Sequence, residues 1–267
     1  MHCASRIVVY MELRHRKKSC SPSLVSFLGA RIPWLRPILL SCALLPQVAA
    51  AAPNGWQFEV SGATSDVTRG IVDSDRAPVI ATRASWYPDP GGGFFVGASA
   101  LTLRSSTSSR TGGKFVASTG YTWRIHGDWT VQALLSRYQF ANVKLASRMN
   151  YDEIALRGGW RDVVFVSVTA SPNTGFGSSP RSRAFSYDIA GRLPLDNGFS
   201  ATAGIGYYDV RAQVGTGFVY ADAGVTYQYG SAQLDLWYIG THAPPSSIVR
   251  ATGLLAHGWV ADVIWHF

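Results

Sequence analysis

Ten ionisable residues, Glu59, Arg83, Arg124, Glu153, Arg157, Asp188, Arg192, Asp222, Asp235 and Asp262, fall at alternating positions inside otherwise apolar stretches. Alternation with period two puts such residues on one side of a strand and the apolar residues on the other. Acids and bases are mixed, with His266 near the end of the same set. Two chemistries fit. One is a water-filled path whose charged wall sets ion or solute preference. The other is a self-neutralising network of ion pairs that fills a narrow barrel.

Other chemistry finds little support. His126, His242, His257 and His266 have no metal-ligand spacing and no cysteine near them, so no metal is expected. Gly91-Gly92-Gly93 reads as a turn, because no helix follows it to cradle a phosphate, and no cofactor is expected. His257 shares a face with Trp259 and points outward. A Ser–His pair on such a wall would make a lipid hydrolase, but no Ser or Asn motif surrounds a partner, so the chain is read as a non-enzyme.

The elements that must position the charged residues are strands. From Trp56 onward no segment sustains a helical period. About twelve alternating stretches recur between clusters of Gly, Pro, Asn and Asp: Trp56–Gly62, Pro78–Tyr87, Gly93–Leu103, Lys114–Ile125, Asp128–Phe140, Tyr151–Trp160, Asp162–Ser171, Arg183–Leu193, Gly198–Asp209, Gly217–Tyr229, Ser231–Thr241 and Thr252–Phe267. In Ser231–Thr241, Ala232, Leu234, Leu236 and Tyr238 oppose Gln233, Asp235 and Trp237. Lipid outside and a polar lumen inside produce that pattern. Connections alternate between short (88–92, 126–127, 161, 194–197, 230) and long (63–77, 104–113, 141–150, 172–182, 210–216, 242–251), as in barrels with tight periplasmic turns and larger outer loops. Trp86, Tyr87, Phe94, Phe95, Trp123, Trp129, Phe199 and Trp265 flank the short turns, and Tyr138, Phe140, Tyr151, Phe185, Tyr207 and Phe218 flank the long loops. Two interfacial girdles are expected from this placement. The fold class is therefore all-β, a transmembrane antiparallel up-and-down barrel of about twelve strands.

The last stretch sharpens this. Trp259, Ala261, Val263, Trp265 and Phe267 share one face, opposite Val260, Asp262, Ile264 and His266. A terminal strand of this kind resembles the segment read by the barrel-assembly machinery, with Trp265 and Phe267 as the signal. At the other end, a basic stretch precedes the apolar run 37–45 and the small residues 48–52, which is the order of a secretory signal peptide and too short to span a bilayer. Residues 1–51 are read as a removed leader and 52–267 as the barrel. All three cysteines (Cys3, Cys20, Cys42) fall in that leader. So do seven of the 24 Lys and Arg and one of the 16 Asp and Glu, which leaves 17 against 15 and cuts the net charge from +8 to +2. The charge thus gives no support for a nucleic-acid partner.

The first long loop carries the most distinctive local sequence. Ser65-Asp66, Arg69-Gly70, Ser74-Asp75 and Pro78 occur in the order and spacing of the TorF-type porin family, with Val67 and Val79 where that family has Tyr and Ala. Gly93–Ala98 is similar to its third strand. The resemblance covers roughly Ser65–Ala100 and implies an outer-membrane barrel with a pore; it supplies no solute. Arg69, Gly70, Asp73, Ser74, Asp75 and Pro78 are the candidate residues of this loop, either selecting solute or holding the loop by ion pairs. The expected function is passive passage of small solutes or ions. A non-conducting barrel that displays its loops is the alternative. Outer-membrane lipid and lipopolysaccharide are the expected surroundings.

Overall fold

A computed structural model describes residues 55–89, 92–105, 108–125, 128–143, 149–175, 180–244 and 253–267. The expected leader lies outside these residues. Twelve strands close into an antiparallel barrel, and two short strands lie within its first long connection. In chain order the strands are β1 (Trp56–Ala63), β2 (Val67–Thr68), β3 (Ile71–Val72), β4 (Val79–Trp86), β5 (Gly93–Ser105), β6 (Ser108–Ile125), β7 (Trp129–Ala141), β8 (Tyr151–Trp160), β9 (Val164–Thr174), β10 (Ser182–Pro194), β11 (Phe199–Asp209), β12 (Gly217–Tyr229), β13 (Ala232–His242) and β14 (His257–His266). Each wall strand pairs with its sequence neighbour, with β4 following β1 around the wall, and β1 pairs with β14 to close the ring. Phe267 N donates to Phe58 O at 2.9 Å, extending that seam by one bond.

The wall is built inside-out relative to a soluble protein. Leu193, Ile80, Ile154 and Trp259 are more than half exposed on the outside, whereas Glu153, Asp235, Lys114 and Ser186 are buried on the inside. A sheet in water would bury the first set, because apolar area drives burial. Lipid outside reverses the requirement. Twelve strands about 4.8 Å apart and tilted by about 40° give a circumference of about 75 Å and a backbone diameter of about 24 Å.

Two expectations change. The span 104–113, read as a long loop, is mostly strand: Leu103 pairs with Gly112 and Arg104 with Thr111, so β5 and β6 form one long hairpin. Its Ser, Thr and Gly residues carry no apolar–polar alternation, so nothing local marked it as strand. The second girdle is also thinner than expected. Tyr138, Phe140 and Phe218 are buried on the inner face, and Tyr151 packs inward against Tyr138, ring centroids 4.3 Å apart. Phe185 and Tyr207 remain on the outer face. Beside the short turns, Trp123, Trp129, Phe199 and Trp265 do point out, while Phe95 is buried inside and stacks on Tyr87. The upper lumen thus has an apolar lining, which calls for something to cover it.

Candidate functional site: a hairpin inserted into a charged lumen

The covering element is the first connection. Strands β2 and β3 pair Val67 with Val72 and Thr68 with Ile71 across a two-residue turn, Arg69-Gly70. Both turn residues have positive φ, 50° and 74°, the backbone sense of the tight primed hairpin turn. Gly70 suits that position, and a Cβ there would lie 2.7 Å from Tyr220 Cβ and 2.5 Å from Thr241 Oγ1. Arg69 lacks that freedom, so its surroundings must hold it.

They do so through charge. Arg69 Nη1 donates to Glu153 Oε1 on β8 at 2.5 Å, and its guanidinium lies 5.2 Å from the Tyr208 ring centroid on β11. Both partners of the ion pair are about 5% exposed. Burial works against the guanidinium charge; Glu153 more than offsets it, so Arg69 is held above its ordinary range. At the base of the hairpin, Lys114 Nζ on β6 donates to Asp66 Oδ2 at 2.5 Å and to Asp73 Oδ2 at 3.0 Å. Burial, with Asp66 beside it, pushes the Asp73 carboxyl up despite the pull of Lys114.

The rest of the connection ties the hairpin to the barrel's other arc. Gly70 O accepts from Thr241 Oγ1 (2.9 Å) and from Ala256 N (2.8 Å), and Val72 N donates to Leu254 O (2.8 Å). Val67 and Val72 pack with Trp237, Ile239, Ala256 and Val260. Ser74 is fully buried, and its hydroxyl accepts from Asp66 N at 2.9 Å. Asp75 and Arg76 take positive φ in the return turn, and Pro78 leads into β4. The hairpin therefore spans from β6 and β8 to β11–β14. Beneath it, a cavity of about 20 Å³ bordered by Thr68, Lys114, Tyr138, Arg83 and Glu59 has room for about one water.

The ten wall residues selected by alternation all belong to inward-facing sets. They differ in company. Arg83 Nη1 lies 3.5 Å from Glu59 Oε2, and His266 Nδ1 lies 3.9 Å from the same oxygen. Arg192 Nε donates to Ser200 Oγ at 3.2 Å. Asp188 accepts from Ser167 Oγ (3.1 Å), Ser186 Oγ (3.4 Å) and the Tyr220 hydroxyl. Asp235 accepts from Thr226 Oγ1 (2.5 Å) and Gln233 Nε2 (2.7 Å). Asp235 and Asp262 are directly opposed across β13 and β14. Asp222 is opposite Ile239, whereas Asp235 is opposite Thr226, so these two acids sit four residues apart along the wall and do not act as one pair. Arg157 lies inward on β8, and Arg124 is exposed at the lower end of β6.

Sorted by strand, Arg83, Lys114, Arg124 and Arg157 occupy β4 to β8 with the acid Glu153 among them, and Asp188, Asp222, Asp235 and Asp262 occupy β10 to β14 with the base Arg192 among them. The two sets lie on opposite arcs of the ring. Lys114 and Asp66 were absent from the sequence-derived candidates. Lys114 continues the inward parity of Val116 and Ser118, so one more step of alternation reaches it; nothing local marks Asp66 as its partner. The histidines are scattered: His242 ends β13, His257 begins β14, His266 sits by Glu59, and His126 lies outside the described residues.

The barrel superposes on a KdgM porin with a TM-score of 0.51 at 9% identity, covering 79% of this chain and 99% of that one. A KdgM porin in complex with disordered oligogalacturonate gives 0.51 at 9% identity, covering 79% and 98%. No protein-family model and no curated protein matches the chain. At such identity the likeness speaks for the fold, and the fold is that of a porin barrel.

Proposed function

We propose that the chain is an outer-membrane channel for passive passage of small solutes or ions, reached after signal-peptide-directed export and assembled by the barrel-insertion machinery. The observation that carries this reading is the reversal of the wall, with Glu153, Asp188, Asp235 and Asp262 buried inside and Ile80, Ile154, Leu193 and Trp259 bare outside. Only a barrel with lipid around it and polar contents makes both faces favourable. The porin-like fold and the Ser65–Ala100 resemblance to TorF-type porins support it.

The lumen selects by shape and by field. The β2–β3 hairpin narrows it. The arc of bases opposite the arc of acids sets a transverse field, so a permeant ion meets attraction on one side and repulsion on the other. The wall set of four bases and six acids gives a mild cation preference. A planar-bilayer recording of the refolded protein under a salt gradient tests this: discrete conductance steps with a small cation-selective reversal potential are expected, and no current above the bare bilayer overturns it.

A second reading has its own support. The Arg69–Glu153 and Lys114–Asp66–Asp73 contacts cross-brace the lumen, as a permanently filled structural or adhesive barrel would require. Absence of conductance in the wild type together with conductance after loosening the hairpin decides for this reading.

A further inference from the structure

The outer wall is not uniformly bulky. Phe58, Ala84, Ala98, Ala117 and Arg137 follow one another as cross-strand partners from β1 to β7. In the next row, Thr82 and Ala100 lead to Phe115 and then Gln139. The run of small residues leaves an outward groove of about 580 Å³ between the Phe58 and Phe115 rings, ending at Arg137.

Heights follow from the strands. At about 2.6 Å of rise per residue for a tilt of about 40°, Ala98 lies about 10 Å above Phe94 of the lower girdle. On the same scale Arg137 lies about 21 Å above Trp129, and Arg104 about 26 Å above Phe94, against an apolar band of about 25 Å. The groove therefore runs from mid-membrane to the outer interface and meets cations there. Arg137 Nη1 donates to Asp152 Oδ2 at 2.7 Å, and the same oxygen accepts from Asn173 Nδ2 at 2.8 Å. One donor of five is committed, and the guanidinium side chain stays 42% exposed. Arg104 and Arg183 are exposed at the same end of their strands.

We propose that this groove binds a phosphorylated, multiply acylated lipid of the outer leaflet. An acyl chain lies over Ala84, Ala98, Ala100 and Ala117, and a headgroup phosphate meets Arg137 with Arg104 above it. Charge complementarity selects this occupant: the planar guanidinium fork fits phosphate oxygens. A second copy docked by the same face would bring like arginines together. The proposal rests on the outer-membrane reading only in taking this wall as lipid-facing.

The test uses the refolded full-length barrel in detergent, with bis-phosphorylated lipid A and its dephosphorylated form as probes and native mass spectrometry as the readout. Heat-modifiable mobility checks that each variant is folded. Arg137→Ala should weaken lipid A binding roughly tenfold, the loss expected for one charge-assisted contact. Ala98→Phe, which fills the groove without touching charge, should weaken both lipids; Arg137→Lys should fall between Arg137→Ala and wild type. Wild-type binding by both Arg137→Ala and Ala98→Phe, or equal binding of the two lipids by the wild type, overturns the site. Conductance in lipid A-free phosphatidylcholine bilayers reads the channel separately, so a silent barrel that still binds lipid A refutes the channel and leaves the site standing.

Discussion

Arg69 and Glu153 are 84 positions apart in the chain and 2.5 Å apart in the lumen, where their ion pair anchors the tip of a hairpin to the far wall. The pair holds a turn residue at positive φ. Removing one partner leaves a buried charge without compensation, at a cost of about 3–5 kcal/mol.

Glu153→Gln should therefore loosen the hairpin, raise single-channel conductance and lower the unfolding temperature. Arg69→Gly strands Glu153 in the same way but relieves the turn by about 1 kcal/mol, so it should be destabilised slightly less than Glu153→Gln. A wild-type unfolding temperature in both variants counts against the ion pair as the anchor.

Gly70→Ala tests shape without charge. The added methyl meets Tyr220 and Thr241 at less than contact distance and favours a backbone the turn cannot use. Conductance should rise while the reversal potential stays at its wild-type value. An unchanged conductance means that the hairpin does not limit flow.

Selectivity should reside in the acidic arc. A unit charge about 10 Å from a permeating ion in a water-like medium is worth about 0.4 kcal/mol, a factor of about two in preference. Neutralising the opposed pair, Asp235→Asn with Asp262→Asn, should lower cation permeation about fourfold and raise anion permeation about fourfold, which moves the reversal potential toward anions. Neutralising Arg83 and Arg157 should move it the other way. A reversal potential blind to both sets refutes the transverse-field account.

Acid should hold the hairpin in place. Burial and the neighbouring Asp66 raise the Asp73 carboxyl in the inserted state, against the pull of Lys114. A solvated Asp titrates at about 3.9, so the inserted state, where Asp73 is raised, binds the proton more tightly. Stability from this group is absent above the raised folded value, grows as pH falls through it and is complete below the solvated value. Closed times should lengthen on acidification, and Asp73→Asn should remove that part of the pH dependence. Closed times that respond identically in the two proteins contradict it.

Phe267 extends the β1–β14 seam by its amide, and Trp265 pairs with Val60 on β1 and with Ala232 on β13. Phe267→Ala should leave this backbone bond intact, so a fall in folded barrel at native expression would mark the ring as an assembly signal. An unchanged folded yield assigns the ring no such part.

The sequence alone determined the strands and their faces. Period-two alternation is local, so it separated Leu234 and Leu236 from Asp235 and put Glu59, Arg157 and Asp262 on the same inward side. It also set about twelve strands and the short and long connections apart from 104–113, because Gly, Pro, Asn and Asp act within the turns that contain them. Only the tertiary structure decided what fills the lumen. Residues 64–78 fold inward because Glu153, Lys114, Thr241 and Tyr208, drawn from strands far apart in the chain, converge when the ring closes. Pleat parity already turns Tyr138, Phe140, Tyr151 and Phe218 inward; closure of the ring supplies what they pack on, Val143 and Met149 in the Tyr138–Phe140 cluster and Ile71 of the hairpin in the Phe218 cluster. The partnership of Asp235 with Asp262, rather than with Asp222, depended on strand register, which a stretch of alternating residues does not record.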